Sequence, residues 1–423
     1  MIVLLSLFTG IATAQQTDSL LSTLLFSDTS SALKRVLAKP DTFRVQVIYT
    51  QIDRDRFNQP HFRNYYFHVD PALYFNPAST VKLPLALLSL EKLNRMAIPG
   101  VNKYTTIQFD SSNEKQVSLY RDTSAENGLP SIAQFIRKAF LVSDNDAYNR
   151  FYQFVGQQEI NRNLHTKGYH DVRITRQFMP LSAEQNRHTN QVRFLDARGK
   201  LIYTQPAQIN TDSFDFPPPV LVGTAFMDRN DSLVHAPMDF TRANNISLED
   251  LQQILQSVIF PAATPVAKRF FLTNDDYRFV LRYLSQYPSE TDYPKYDTSK
   301  FYDGRVKFFF KNDRHTMPAN LRVFNKVGWS YGFLTDVSYI ADFRNKIEFM
   351  LSATIYVNSD GILNDDQYDY DSIGYPFLLA LGKTVYQYEL ARPRTYRPKF
   401  GKLHLRYHSR KTDDRPLIHD VDN

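Results

Sequence analysis

The segment Ser79 to Met96 constrains this chain more than any other. Val81, Leu83, Leu85, Ala86, Leu87, Leu88, Leu90 and Leu93 leave no polar face on its first three turns, and a helix that is apolar all round belongs at the centre of a domain. Lys82 stands inside this run, where an unpaired ammonium is costly to desolvate unless it has a partner or a task. Pro84 sits too far in for the ideal first-turn position, so the spacing predicts a bend or a start later than Ser79. Only a chain with a substantial core can bury such a helix. The 423 residues, 43% hydrophobic and 14% aromatic, supply that core and exclude a disordered chain or a small stapled scaffold.

Around this helix the patterning is mixed. An amphipathic stretch from Asp18 to Leu37 precedes an alternating strand, Phe43 to Tyr49, with Arg63 to Val69 placed to pair with it. Helices are expected at Ser131 to Leu141, Asp146 to Val155, Ser247 to Phe260 and Asn274 to about Tyr287. Strands return at Leu321 to Trp329, Thr335 to Ala341 and Ile347 to Val357, and a helix from Ile373 to Leu390 follows. Strands at both ends with helices between them imply an α/β sandwich in which both ends of the chain feed one antiparallel sheet. The stretch at about 187–245 breaks the pattern, with a hairpin from Val192 to Tyr203, a Pro217-Pro218-Pro219 break and a second hairpin turning at Arg229-Asn230-Asp231. It reads as an insertion in one domain spanning 15–390.

Met1 to Ala14 carries no charged side chain and ends in the small-x-small pattern Ala12-Thr13-Ala14. It reads as a signal peptide, with an ordinary buried helix as the alternative, since the usual basic residue near Met1 is missing. The expected location is therefore outside the cytoplasm, periplasmic or secreted. There is no Cys, which excludes thiolate catalysis, Cys-ligated zinc and disulfides. No second apolar run approaches the roughly 18 residues that span a bilayer. The net charge of +6 is concentrated at one end: Arg392 to Arg415 holds nine Lys and Arg, against four Asp between Asp413 and Asp422. The composition of 391–423 is that of an extended, solvated basic tail, and a basic tail without a basic face argues against nucleic-acid binding.

Ser79-Thr80-Val81-Lys82 puts a Lys one turn from a Ser on the same helix face, as a serine nucleophile and its base require. Burial favours the neutral amine, which can accept the hydroxyl proton. The same spacing at Ser31/Lys34, Ser89/Lys92 and Ser112/Lys115 reads as solvated pairs with polar neighbours. Ser143-Asp144-Asn145 falls between two helices, where a cap is the plain alternative. Lys326-Val327-Gly328 lies on a late strand, where a Lys is by default a solvated edge residue.

Together the three motifs resemble the set S-x-x-K, S-D-N and K-T-G of the serine β-lactamases and penicillin-binding peptidases, and the chain looks most similar to the class A β-lactamases. The resemblance implies an antiparallel five-stranded sheet flanked by helices, with an all-helical subdomain. It implies Ser79 as the acylated nucleophile, Lys82 as its base or relay, and Ser143 as the proton donor to the leaving group. Asn145 would hold the substrate amide, and Lys326 would supply positive charge to a substrate carboxylate and to Ser143. The backbone N–H groups of Ser79 and Trp329 would form the oxyanion hole, and Gly328 would let the substrate backbone lie against its strand. No cofactor and no metal are implied. The implied chain is a monomer acting on a small-molecule β-lactam, a peptidoglycan-like substrate, or another amide or ester.

Two departures stand out. Val327 removes the hydroxyl of the third motif, and the deacylating glutamate expected soon after Ile174-Thr175-Arg176 has only Glu184 as a candidate. Without such a base the behaviour would be that of a penicillin-binding DD-peptidase-like enzyme with slow deacylation, or of a non-catalytic module binding peptidoglycan or a partner. A rival site, Gly328-Trp329-Ser330-Tyr331-Gly332, matches G-x-S-x-G, followed by Asp336 or Asp342 and then His404, His408 or His419. The expected strand after it contradicts a strand-to-helix elbow. His404 and His408 carry a metal-like spacing, but in a tail without helical pattern they read as solvated.

Overall fold

A computed structural model describes residues 15–111, 115–313, 315–407, 410 and 416–421. Met1 to Ala14, Ser112 and His408 lie outside the described residues. Two short helices, α1 (Ser19–Ser27) and α2 (Ser31–Leu37), lead into a hairpin of β1 (Gln46–Arg54) and β2 (Pro60–Phe67). The hairpin starts later than the alternation suggested, because Arg44 takes a left-handed φ of 44° and closes a turn ahead of the strand. After a 3-10 turn at Ala78–Val81, α3 runs from Lys82 to Met96, so Pro84 falls within the first helical turn, where its missing N–H is tolerated. β3 (Thr106–Asp110) follows, then α4 (Ile132–Leu141), α5 (Asn145–Val155) and α6 (Gln157–Thr166). β3 and α6 have too few apolar repeats to stand out in the sequence.

The segment 187–245 contributes β4 (Gln191–Leu195), β5 (Leu201–Gln205), β6 (Leu221–Val222), β7 (Ala225–Met227), β8 (Leu233–Val234) and β9 (Met238–Asp239). Both expected hairpins form, β4 with β5 and β7 with β8. Next come α7 (Leu248–Ile259), capped by Ser247, and α8 (Asn274–Ser285). Thr273, not Asn274, caps α8, in a capping box with Asp276. The chain then returns to the main sheet as β10 (Leu321–Ser330), β11 (Phe333–Asp342) and β12 (Ile347–Tyr356), adds β13 (Ile362–Leu363), and runs into α9 (Tyr375–Ala391).

The main sheet has the order β10-β11-β12-β1-β2, all antiparallel, and β1 pairs directly with β12. Strand alternation sorts side chains between two cores. One face carries Val47, Val323, Val327 and Leu351 against Leu21, Val36, Phe377 and Leu381 of α1, α2 and α9. The other carries Ile48, Phe324, Val337 and Met350 against α3, α4, α5, α7 and α8. α3 sits deep in this second core, with Leu83, Leu85, Ala86 and Leu87 fully buried. No helix among the described residues is long and apolar enough to cross a membrane.

The tail departs from the expectation of a solvated extension. It is largely without regular elements, yet Phe400 and Leu403 are buried, Arg392 reaches Asp53 at 2.5 Å, and Tyr407 meets Ser285 at 2.7 Å. Phe400 and Leu403 hold it to the domain despite its basic composition, while Tyr396 and Leu417 stay exposed.

Candidate functional site

Three elements converge at the end of β10. Asn76 accepts from the Ala78 N–H at the start of the turn that carries Ser79, and both the N–H and the hydroxyl of Thr80 donate to the Pro77 carbonyl. Ala78 is held at a φ of 42°, a sparsely populated conformation for a residue with a Cβ. Ser79 therefore stands half-buried at the pocket while Lys82 begins α3 in the core.

Lys82 is the hub. Its Nζ donates to Ser79 Oγ at 2.7 Å, to Asn145 Oδ1 at 2.6 Å and to the Ser143 carbonyl, and lies 3.3 Å from Ser143 Oγ. Burial pushes the amine down to about 7, with Asp144 pulling weakly the other way. Ser143 is itself left-handed, at a φ of 67°, while Asp144 caps α5 by accepting from the Ala147 N–H at 2.8 Å. The plain reading of this motif as a cap thus holds for Asp144, and Ser143 and Asn145 on either side of it face Lys82. With Asn145 Oδ1 occupied by Lys82, the amide's Nδ2 is the group left for a ligand.

Lys326 approaches Ser143 from the sheet. Its Nζ donates to Ser143 Oγ at 2.9 Å and to the Val327 carbonyl at 2.8 Å. Burial, and then the neighbouring Lys82, hold it well below the ordinary lysine range. It is a buried residue on an edge strand, not the solvated one that the position suggests. Alternation turns Val327 the other way, into the core against α9, so the hydroxyl its side chain lacks is not missing from the pocket lining. Gly328 makes room for the turn that carries Ser79: a Cβ there would fall 2.5 Å from the Pro77 carbonyl oxygen and 3.0 Å from the Ser79 nitrogen. Trp329 follows at the pocket wall.

Glu184 is not brought to this site. Its side chain is 72% exposed and meets His188 at 3.2 Å. The loop before it is fixed from inside, Phe178 N–H donating to Asn149 and Gln177 N–H to Asn186, so Phe178 is the residue turned inward. Its ring lies 5.3 Å from Lys82 Nζ and stacks on Tyr148 at 4.0 Å. The rival motif is a hairpin: Tyr331 and Gly332, at φ of 51° and 80°, join β10 to β11 as a two-residue turn with no helix following. Asp336 is buried against Asn325 and Ser338, His404 packs on Phe343, and His419 pairs with Asp297. Among the described residues no cluster of three or more His, Asp or Glu could hold a metal.

The pocket over Ser79 has a volume of about 400 Å³, and its far wall is Tyr331, Asn364, Asp366, Tyr368 and Tyr370. In the sequence Tyr331 stands out only within the rival motif, and Asn364, Asp366, Tyr368 and Tyr370 are not legible, because nothing local marks a loop that is brought to a site by sheet pairing. A larger cavity, about 760 Å³ between Phe57, Phe260, Tyr277 and Leu403, contains none of the motif residues.

Residues 28–209 match the family described as the beta-lactamase enzyme family. Over that stretch the chain is similar to the beta-lactamase family. The matched residues include Ser79, Lys82, Ser143 and Asn145, and Lys326 lies beyond them. No curated protein matches the chain. Among solved structures it is similar to a beta-lactamase from Desulfarculus baarsii at 15% identity, covering 86% of this chain and 99% of that one with a TM-score of 0.47. A beta-lactamase from Sphaerobacter thermophilus is 12% identical over 88% of this chain and 98% of its own, with a TM-score of 0.45. An acyl-enzyme complex of a PBP-A variant with penicillin G is 11% identical over 87% and 96%, with a TM-score of 0.46.

Proposed function

We propose that this chain is a serine acyl-transfer enzyme in which Ser79 is acylated by a β-lactam or a related amide or ester, and that it releases the acyl group slowly, as a penicillin-binding protein does. The observation that carries the reading is Lys82, buried, low in pKa and 2.7 Å from Ser79 Oγ. The neutral amine takes the Ser79 proton as Oγ attacks the carbonyl carbon. The N–H groups of Ser79 and Trp329 stabilise the oxyanion. As the carbon–nitrogen or carbon–oxygen bond breaks, Ser143 gives its proton to the leaving atom and is reprotonated from Lys82 or Lys326, which both reach its hydroxyl.

Slow release is supported by what surrounds the ester. Among the described residues no carboxylate touches Ser79 or Lys82, and the Phe178 ring occupies the inner side of the loop from which a water-activating base would come. We further propose that the protein works outside the cytoplasm, on the pattern of Met1 to Ala14.

Intact-mass spectrometry after brief exposure to a penicillin tests the function. A persistent adduct that is absent from Ser79→Ala supports it. An adduct that clears as product accumulates would make the protein a true β-lactamase, and no adduct would direct attention to another acyl substrate or to binding alone.

A further inference from the structure

The wall facing Ser79 is built from afar. β13 pairs in parallel with β7 of the insertion, the Thr224 N–H donates to the Gly361 carbonyl at 2.8 Å, and Asn364 Nδ2 donates to the Met227 carbonyl at 2.9 Å. Within the wall, Asn364 N–H donates to Tyr368 Oη at 2.8 Å and Gly332 N–H to Tyr370 Oη at 2.9 Å. Phe240 of the insertion braces Tyr331 edge-on at 5.3 Å. The phenol oxygens are thereby tied to backbone, and the rings present their bodies as a fixed aromatic surface.

Asp366 stands among them. It is the one carboxylate lining this pocket among the described residues, it is exposed, and it makes no ion pair. Burial raises the Tyr368 and Tyr370 phenols, and the Asp366 charge adds slightly in the same direction. The two amines at the other side, Lys82 and Lys326, are buried behind Ser143 and driven toward neutrality. The pocket thus presents a negative group set in aromatic rings, an arrangement complementary to a cation by both charge and ring quadrupole.

We propose that this pocket selects acyl substrates carrying an ammonium group, received by Asp366 between Tyr331, Tyr368 and Tyr370, and that the insertion exists to hold this wall in place. The proposal rests on the reading of Ser79 as the acylated residue. Asp366 sits at a φ of 58°, which Asn adopts as readily as Asp, so Asp366→Asn removes the charge without straining the loop.

The test compares acylation rates of the full chain by benzylpenicillin and by ampicillin, which differ by one α-ammonium. The expected ratio favours ampicillin by about fivefold and falls toward one in Asp366→Asn. A ratio of one in the unaltered protein, or a preference that survives Asp366→Asn, overturns the proposal. If neither penicillin acylates Ser79, the functional reading fails separately, and calorimetric binding of the same pair to Ser79→Ala takes over the comparison. There, an ampicillin preference abolished by Asp366→Asn supports the cation site, and equal or absent binding of the two overturns it.

Discussion

Lys82 and Lys326 converge on one hydroxyl: their Nζ atoms lie 3.3 Å and 2.9 Å from Ser143 Oγ, and both side chains are buried. Two ammonium groups so placed repel each other in a medium that screens poorly. Burial lowers both amines and Lys82 lowers Lys326 further, while a base for Ser79 requires Lys82 in its neutral form.

The pH dependence follows from the burial of Lys82. With Lys82 near 7 and active as the neutral amine, the acylated fraction formed per unit time rises with pH and levels off above 8. Between pH 6 and pH 8 the rate should increase about tenfold. Rapid-quench mass spectrometry across this range checks it, and a flat profile would remove Lys82 as the base.

Phe178 is the position from which release can be altered. Its ring lies 5.3 Å from Lys82 Nζ, so Phe178→Glu puts a carboxylate beside Lys82, which contacts Ser79 Oγ, in place of an aromatic face. The adduct's lifetime should shorten by about 10²-fold, the usual scale of a positioned general base. Stability should fall as well, because the stack on Tyr148 is lost. A time course of adduct decay in the two proteins is the measurement, and an unchanged lifetime would count against base absence as the cause of slow release.

Gly328→Ala should injure acylation without touching a reactive group. The added Cβ meets backbone at Pro77 and Ser79, which cannot rotate aside as a side chain does. The expected cost is about 1–3 kcal/mol of stability, together with a slower acylation as Ser79 is displaced. Urea unfolding and labelling rate, measured on the same protein, separate the two effects.

The tail offers a prediction about folding alone. Phe400 is 3% exposed in the core although it follows a run of prolines and bases. Phe400→Ala should destabilise the domain by about 3–5 kcal/mol, seen as a lower urea midpoint. A change near zero would return the tail to the solvated extension that its composition suggests.

Much of this protein is written locally. The apolar run of α3, the caps at Ser131, Asp144 and Ser247, and the alternation of β10 to β12 can be read along the chain, because each depends on residues a few positions apart. The spacing of Ser79 and Lys82 belongs to the same class, since one helical turn places them together whatever the rest of the chain does.

What lay beyond the sequence was decided by contacts between distant segments. Whether Lys82 and Lys326 meet at Ser143 depends on β10 docking against the turn that carries Ser79, where a Cβ at Gly328 would collide with backbone. Glu184 and Phe178 share one loop, and buried hydrogen bonds to Asn149 and Asn186 determine that the ring faces the site and the carboxylate faces solvent. The wall of Asp366 and its tyrosines is placed by β13 pairing with β7, more than 130 residues away in the chain. Local patterns fix which elements form, because their energies are local. The direction in which a loop side chain points is fixed by the partners that tertiary packing supplies.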